Sequence, residues 1–150
     1  MSERILRLRR RRRADGQALV EFSLVLPIFV LLMLIVFDFG RGIYTYNGMS
    51  EAAREIARTT IITPYDLTGT TLGGSVATQR AVDLQKSLVP GLQVTGYQCL
   101  DYDGSPVAAG DDCTSGDLVK VTVASSYTPT ALLGLGGPIQ LTATSSLQIP

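Results

Sequence analysis

The chain has 150 residues, which suits one small domain plus an anchor. Its formal net charge is zero, but residues 1–13 hold seven Arg and one Glu, while residues 14–150 hold six Lys and Arg against twelve Asp and Glu. It has no His, and so lacks the usual general base near neutral pH and the commonest metal ligand. No GxSxG elbow, phosphate-binding glycine loop or Cys/His metal pattern is present, so the sequence gives no support to an enzyme and implies no cofactor.

Residues 1–16 form a basic leader with five consecutive Arg at 9–13. An arm for nucleic acid and a targeting peptide are two readings of it. The topological reading is favoured, because a long apolar run begins a few residues later and clustered Arg beside such a run stays on the cytoplasmic side. No nucleic-acid partner is expected. Anionic lipid headgroups add roughly 1 kcal/mol per basic side chain near the surface.

Residues 17–39 read as a transmembrane helix. The stretch 22–37 is free of charge, and only Ser23 and Pro27 interrupt its apolar character. A helix over 18–37 is ~30 Å long, about one hydrocarbon thickness. The run is apolar all round, unlike a surface helix with a polar stripe, and longer than a signal-peptide core. Pro27 supplies no N–H and should loosen or kink it, which a bilayer tolerates where neighbouring helices satisfy the freed carbonyl. Glu21 costs ~2.5–3.5 kcal/mol at the centre of a bilayer on insertion scales. Either it snorkels to the interface or takes up a proton, or it pairs with a positive charge from another chain. Cleavage after Gly16 supplies such a charge, since Gln17 then carries a free α-amino group and Glu21 becomes the fifth residue.

Residues 16–22, GQALVEF, resemble the prepilin peptidase site of type IV pilins and pseudopilins: a basic leader ending in Gly, four neutral residues, Glu, then an aromatic. More narrowly, residues 16–58 resemble the TadE-like family of the tight-adherence (Tad/Flp) pilus system. The residues that carry this are Gly16-Gln17, Glu21-Phe22, Leu26-Pro27, Asp38-Phe39-Gly40-Arg41, Tyr46-Asn47, Ala52-Ala53-Arg54-Glu55 and Ala57-Arg58. The resemblance implies processing at Gly16 and Gln17 by a prepilin peptidase, and subunit assembly through Glu21 and Phe22. It also implies partners in sister pseudopilin or pilin subunits and an inner-membrane Tad platform. The expected placement is single-pass in the cytoplasmic membrane, with the N-terminus in the cytoplasm and the C-terminal domain outside. The alternative is an uncleaved single-pass membrane protein with an extracytoplasmic binding domain.

Residues 40–60 continue as an amphipathic juxtamembrane helix, with Ile43, Tyr46, Met49, Ala53, Ile56 and Ala57 on one face. Asp38 and Arg41 are spaced to pair at the membrane surface. Glu51 and Glu55 each have an Arg three residues on, Arg54 and Arg58, for a few tenths of a kcal/mol or for pairing between subunits. Gly40, Gly42 and Gly48 weaken the helix or permit a close approach.

Residues 61–150 form a small α+β domain. Thr63-Pro64 ends the helix, 66–75 reads as a loop, and 76–89 as a short helix with Ala77, Ala81, Leu84 and Leu88 on its apolar side. Strands are expected over 92–99, 118–126 and 139–149, in a small antiparallel sheet packed on the long helix. In an exported protein, Cys99 and Cys113 read as one disulfide, closing a loop of about fifteen residues for ~3 kcal/mol. The acidic stretch 101–112 departs from an EF-hand, with Pro106 at the Gly position and Asp112 at the Glu position, so it reads as a solvated turn with no metal. The apolar LLGLGG loop at 132–137 reads as a packing loop or as a contact with lipid or a neighbouring subunit.

Overall fold

The computed structural model describes residues 2–63, 67, 72–108, 111–130 and 137–150, with side chains from residue 16 onward. The leader's side chains, Pro64 and most of the apolar 132–137 loop therefore lie outside the described residues. The element order is α1 (Ser2–Ile61), α2 (Val76–Leu88), β1 (Gln93–Leu100), β2 (Leu118–Tyr127) and β3 (Ile139–Gln148). The expected class holds: a long N-terminal apolar helix, a short second helix, a three-stranded antiparallel sheet and a disulfide between Cys99 and Cys113. The chain divides into two compact units, Met1–Gly40 and Arg41–Pro150.

In the first unit every side chain from 16 to 40 is exposed apart from Asp38. The apolar window of α1 has 0% of its residues buried, and the helix is long and apolar enough to cross a membrane. That combination separates it from the core helix of a soluble protein, whose apolar surface would be covered. Pro27 lies inside the helix without ending it.

The second unit is built on one row of side chains. β2 alternates strictly because its Val119, Val121 and Val123 are β-branched residues at period two, and all three are fully buried. They share one cluster with Met49, Ala52, Ala53, Ile56 and Ala57 of α1, with Val82, Val89 and Leu92, and with Ala143 and Ile149. The alanines are short, so the helix backbone can lie close to the valine row. Thr60 extends the buried stripe, its hydroxyl donating to the Ile56 carbonyl at 2.8 Å. Ile43 and Tyr46, expected on this face, are instead about half exposed.

β2 is the centre of the sheet, with β1 and β3 antiparallel on either side. The register of β1 slips between Val94 and Gly96, which explains its weak alternation. α2 starts at Ser75, whose side chain accepts the Thr78 N–H at 3.0 Å. Its buried residues are Thr78 and Val82, with Val89 following, while Leu84 and Leu88 are exposed. The leucine face expected from the sequence is thus corrected by about one residue of helical rotation: the β-branched valines, not the leucines, meet the sheet. Gly48 of α1 sits where a Cβ would lie 3.1 Å from Val89, so this glycine does serve a close approach. Gly40 does not, having nothing within 4 Å. Gly73, at φ +74°, packs under the Tyr97 ring, where a Cβ would come within 2.5 Å of the ring carbon.

Since the core depends on the stripe from Met49 to Thr60, Ile56→Ala should cost about 2–5 kcal/mol in urea unfolding of the detergent-solubilised chain. Ile43→Ala, at a side chain 46% exposed, should cost less than about 1 kcal/mol. Equal losses at the two positions would refute this assignment of the buried face.

Candidate functional site

The residues singled out by sequence fall in three places. The first is the N-terminal end of the apolar span. Gly16 is helical, and an added Cβ there meets nothing within 4 Å among the described residues, which give no steric reason for glycine at this position. One turn on, the Gln17 side-chain amide donates to a Glu21 carboxylate oxygen at 3.2 Å. This is the i,i+4 spacing at which helical side chains meet. Phe22 is 61% exposed beside it. Gln17, Glu21 and Phe22 therefore form an exposed surface on a helix that has no other covering in its own unit.

The second place is the start of the second unit. The Arg41 guanidinium lies 5.7 Å from the centroid of the Tyr127 ring, within cation–π range, and Nη1 donates to the Thr130 hydroxyl at 3.5 Å. This ties the first residue of the unit to the end of β2, a contact between positions 41 and 127–130 that local sequence spacing could not reveal. Asp38, three residues earlier, is buried. Further along α1, Arg54 and Arg58 are exposed, and among the described residues no ion pair joins Glu51 to Arg54 or Glu55 to Arg58. An open cleft of about 290 Å³ runs between this part of α1 and the end of α2, lined by Tyr44, Gly48, Leu88 and Pro90 among others.

The third place is the loop bridged by Cys99 and Cys113, whose Cα atoms are 5.9 Å apart. The Cys113 N–H donates to the Leu67 carbonyl at 2.7 Å, and Leu67 packs on the core, so the disulfide fastens this loop to the domain. Within it, 101–105 is a tight turn: the Gly104 N–H donates to the Asp101 carbonyl at 2.8 Å, with Gly104 at φ +86°. The Ser105 N–H donates to Asp103 Oδ1 at 2.8 Å. Hydrogen bonds from the side chain and backbone of Ser105 hold the Asp103 carboxyl below its ordinary value. Here the carboxylates serve as turn-forming acceptors. Asp117 does the same, accepting both the N–H and the hydroxyl of Thr114 at 2.7 and 2.9 Å.

Residues 16–58 match a protein family described as TadE-like protein. No curated protein and no solved structure matches the chain. The matched segment starts at Gly16, takes in the whole apolar span and ends within the buried stripe of α1, at Arg58. It covers the first place and the α1 part of the second, and leaves Tyr127, Thr130, α2, the disulfide loop and the sheet outside.

The Asp103 turn carries a pH prediction. A carboxyl depressed in the folded state adds stability above its unfolded value and loses it as pH falls through the folded one. The Ser105 amide resonance of the micelle-bound chain should therefore titrate with a midpoint below 3.8, the ordinary Asp value, and Asp103→Asn should abolish the titration. A midpoint at or above 3.8 would refute the assigned hydrogen bond.

Proposed function

We propose that this chain is a pseudopilin-type structural component of a Tad pilus system and acts by assembly, not by catalysis. In this reading it inserts as a single-pass protein of the cytoplasmic membrane, with its basic leader inside and residues 61–150 outside. A prepilin peptidase removes the leader between Gly16 and Gln17. Glu21 then pairs with the new α-amino group of a neighbouring subunit, and Phe22 packs beside it. Sister pseudopilin or pilin subunits and the inner-membrane platform are the remaining partners, and adhesion to surfaces is the process served.

The observation that carries the reading is Gly16 followed by the Gln17–Glu21 pair at the start of an uncovered apolar helix, within a segment that matches the TadE-like family. A glycine with no steric task in the fold, standing where a basic leader meets an apolar helix, fits recognition by a partner enzyme. A carboxylate at this depth is unfavourable for a lone chain in lipid and becomes favourable once neutralised by a partner's charge. Assembly is thus rewarded over remaining single.

The test is the mass of the N-terminal peptide from the membrane fraction. The wild-type chain should begin at Gln17, and Gly16→Val should retain the leader while keeping its disulfide-bonded domain. An intact wild-type leader would overturn the processing step and favour a plain signal anchor. Glu21→Ala should insert and be processed normally but fail to enter assemblies. Normal assembly of that variant would refute the pairing role.

A further inference from the structure

The two edges of the sheet are finished differently. At the C-terminal end of β1, two outward-facing backbone groups are already paired within the chain. The Cys99 carbonyl accepts from the Val107 N–H at 3.0 Å, and the Asp101 N–H donates to the Ser105 carbonyl at 2.7 Å. These two bonds make the bridge between Leu100 and Pro106, and the slip between Val94 and Gly96 blunts that edge further. β3 has none of these devices. Its 10 residues contain no charge, no Gly and no Pro, and it pairs with β2 without a register slip from Ile139 to Gln148.

The outward phase of β3 follows from its last hydrogen bonds. Ile149 donates to the Asp117 carbonyl at 2.8 Å and accepts from the Gly116 N–H at 3.1 Å, so its backbone faces the β2 side. Antiparallel pairing alternates residue by residue. The backbone N–H and C=O of Gln140, Thr142, Thr144, Ser146 and Gln148 therefore point away from β2. The side chains of these residues are exposed, and among the described residues nothing pairs with that row.

The sequence of this edge is nearly the same in both directions. Residues 139–149 read IQLTATSSLQI, and backwards IQLSSTATLQI. Set antiparallel to a second copy with Thr144 opposite Thr144, the strand matches Ile139 with Ile149, Gln140 with Gln148 and Leu141 with Leu147. Thr142 then meets Ser146, and Ala143 meets Ser145. The residues facing the core, Leu141, Ala143 and Leu147, stay on the core side of both copies, as a fixed register requires. Every outward-facing residue falls in a hydrogen-bonded pair with another outward-facing residue. This self-complementarity is what a two-fold, isologous contact needs.

We propose that β3 is a homotypic docking edge: two copies of this chain join β3 to β3, antiparallel about an axis through Thr144, into one sheet of double width. The inference rests on the sheet alone and stands whether or not the leader is processed. It commits to a second copy and not to another protein's strand, because only the chain's own sequence supplies the matched pairs.

The experiment uses the full chain in its membrane. In a hydrogen-bonded antiparallel pair the two Thr144 Cα atoms lie about 5.5 Å apart, within disulfide range. Under mild oxidation Thr144→Cys should give a covalent homodimer, while Ser87→Cys, on the exposed face of α2, stays monomeric. Thr142→Cys/Ser146→Cys, whose cysteines meet across the axis, should give the same dimer. Adding Thr144→Pro to that pair removes an outward N–H but no bond to β2, and should bring the dimer to background. Retention of the Cys99–Cys113 bond reports that each variant has folded. The proposal is overturned if folded Thr144→Cys forms no homodimer, or is captured only on a different protein. It is equally overturned if Ser87→Cys crosslinks as strongly, or if Thr144→Pro leaves the dimer intact.

Discussion

The second unit depends on a single packing contact, the stripe of α1 from Met49 to Thr60 against the valine row of β2. A sheet of three strands has too little apolar surface of its own to enclose a core, and α2 with the residue that follows it brings Val82 and Val89 to the cluster. Removing α1 would leave Val119, Val121 and Val123 in water. The helix that leaves the apolar span is therefore part of the domain's interior, not a tether to it. The composition of that stripe follows: Ala52, Ala53 and Ala57 let the backbone come close, and Met49 and Ile56 fill the space between.

How far the fold was legible varies with the strength of the local pattern. β2 and β3 were readable to within a residue or two, because Val119-Val121-Val123 and the alternation from Ile139 onward leave only one face that can be buried. β1 was weaker, since a bulge at its start breaks the period that would mark it. α2 was readable as a helix but not in its facing. Two stripes at the same spacing compete in it, Ala77-Ala81-Leu84-Leu88 and Thr78-Val82-Gln85-Val89, and hydrophobicity favours the wrong one. In the fold the second stripe is the one inside, with Thr78, Val82 and Val89 buried. The Arg41–Tyr127 contact was beyond sequence reading because it joins residues far apart in the chain by a stacking geometry that leaves no local pattern.

The polar loops finish what the sheet leaves open, but on one side only. The turn at 101–105 and the disulfide to Cys113 bring the chain back along β1, where Ser105 and Val107 occupy the outward groups of Asp101 and Cys99. The acidic residues of that loop are spent on its geometry, as Asp103 and Asp117 each accept from the backbone two or three residues away. A protected edge beside a long, uncharged, unbroken one is an asymmetry that folding alone does not require, because edge strands tolerate Lys, Pro and bulges at little cost.

The residues around the start of the span show the converse case. Among the described residues a Cβ at Gly16 would meet nothing within 4 Å, Phe22 is exposed, and Glu21 accepts from the Gln17 side-chain amide. On the assembly reading the task of these side chains lies between molecules, which places no constraint on them inside one. On the assembly reading, cleavage changes the chemistry at one point. Gln17 keeps the side chain that now bonds Glu21 and gains a positive charge on its backbone nitrogen. The bond from a neutral amide to the Glu21 carboxylate is then joined by one in which donor and acceptor both carry charge. Supplied by a neighbour, that charge removes the cost of carrying Glu21 in lipid, and the same carboxylate that disfavours the lone subunit becomes the group that selects its partner's register.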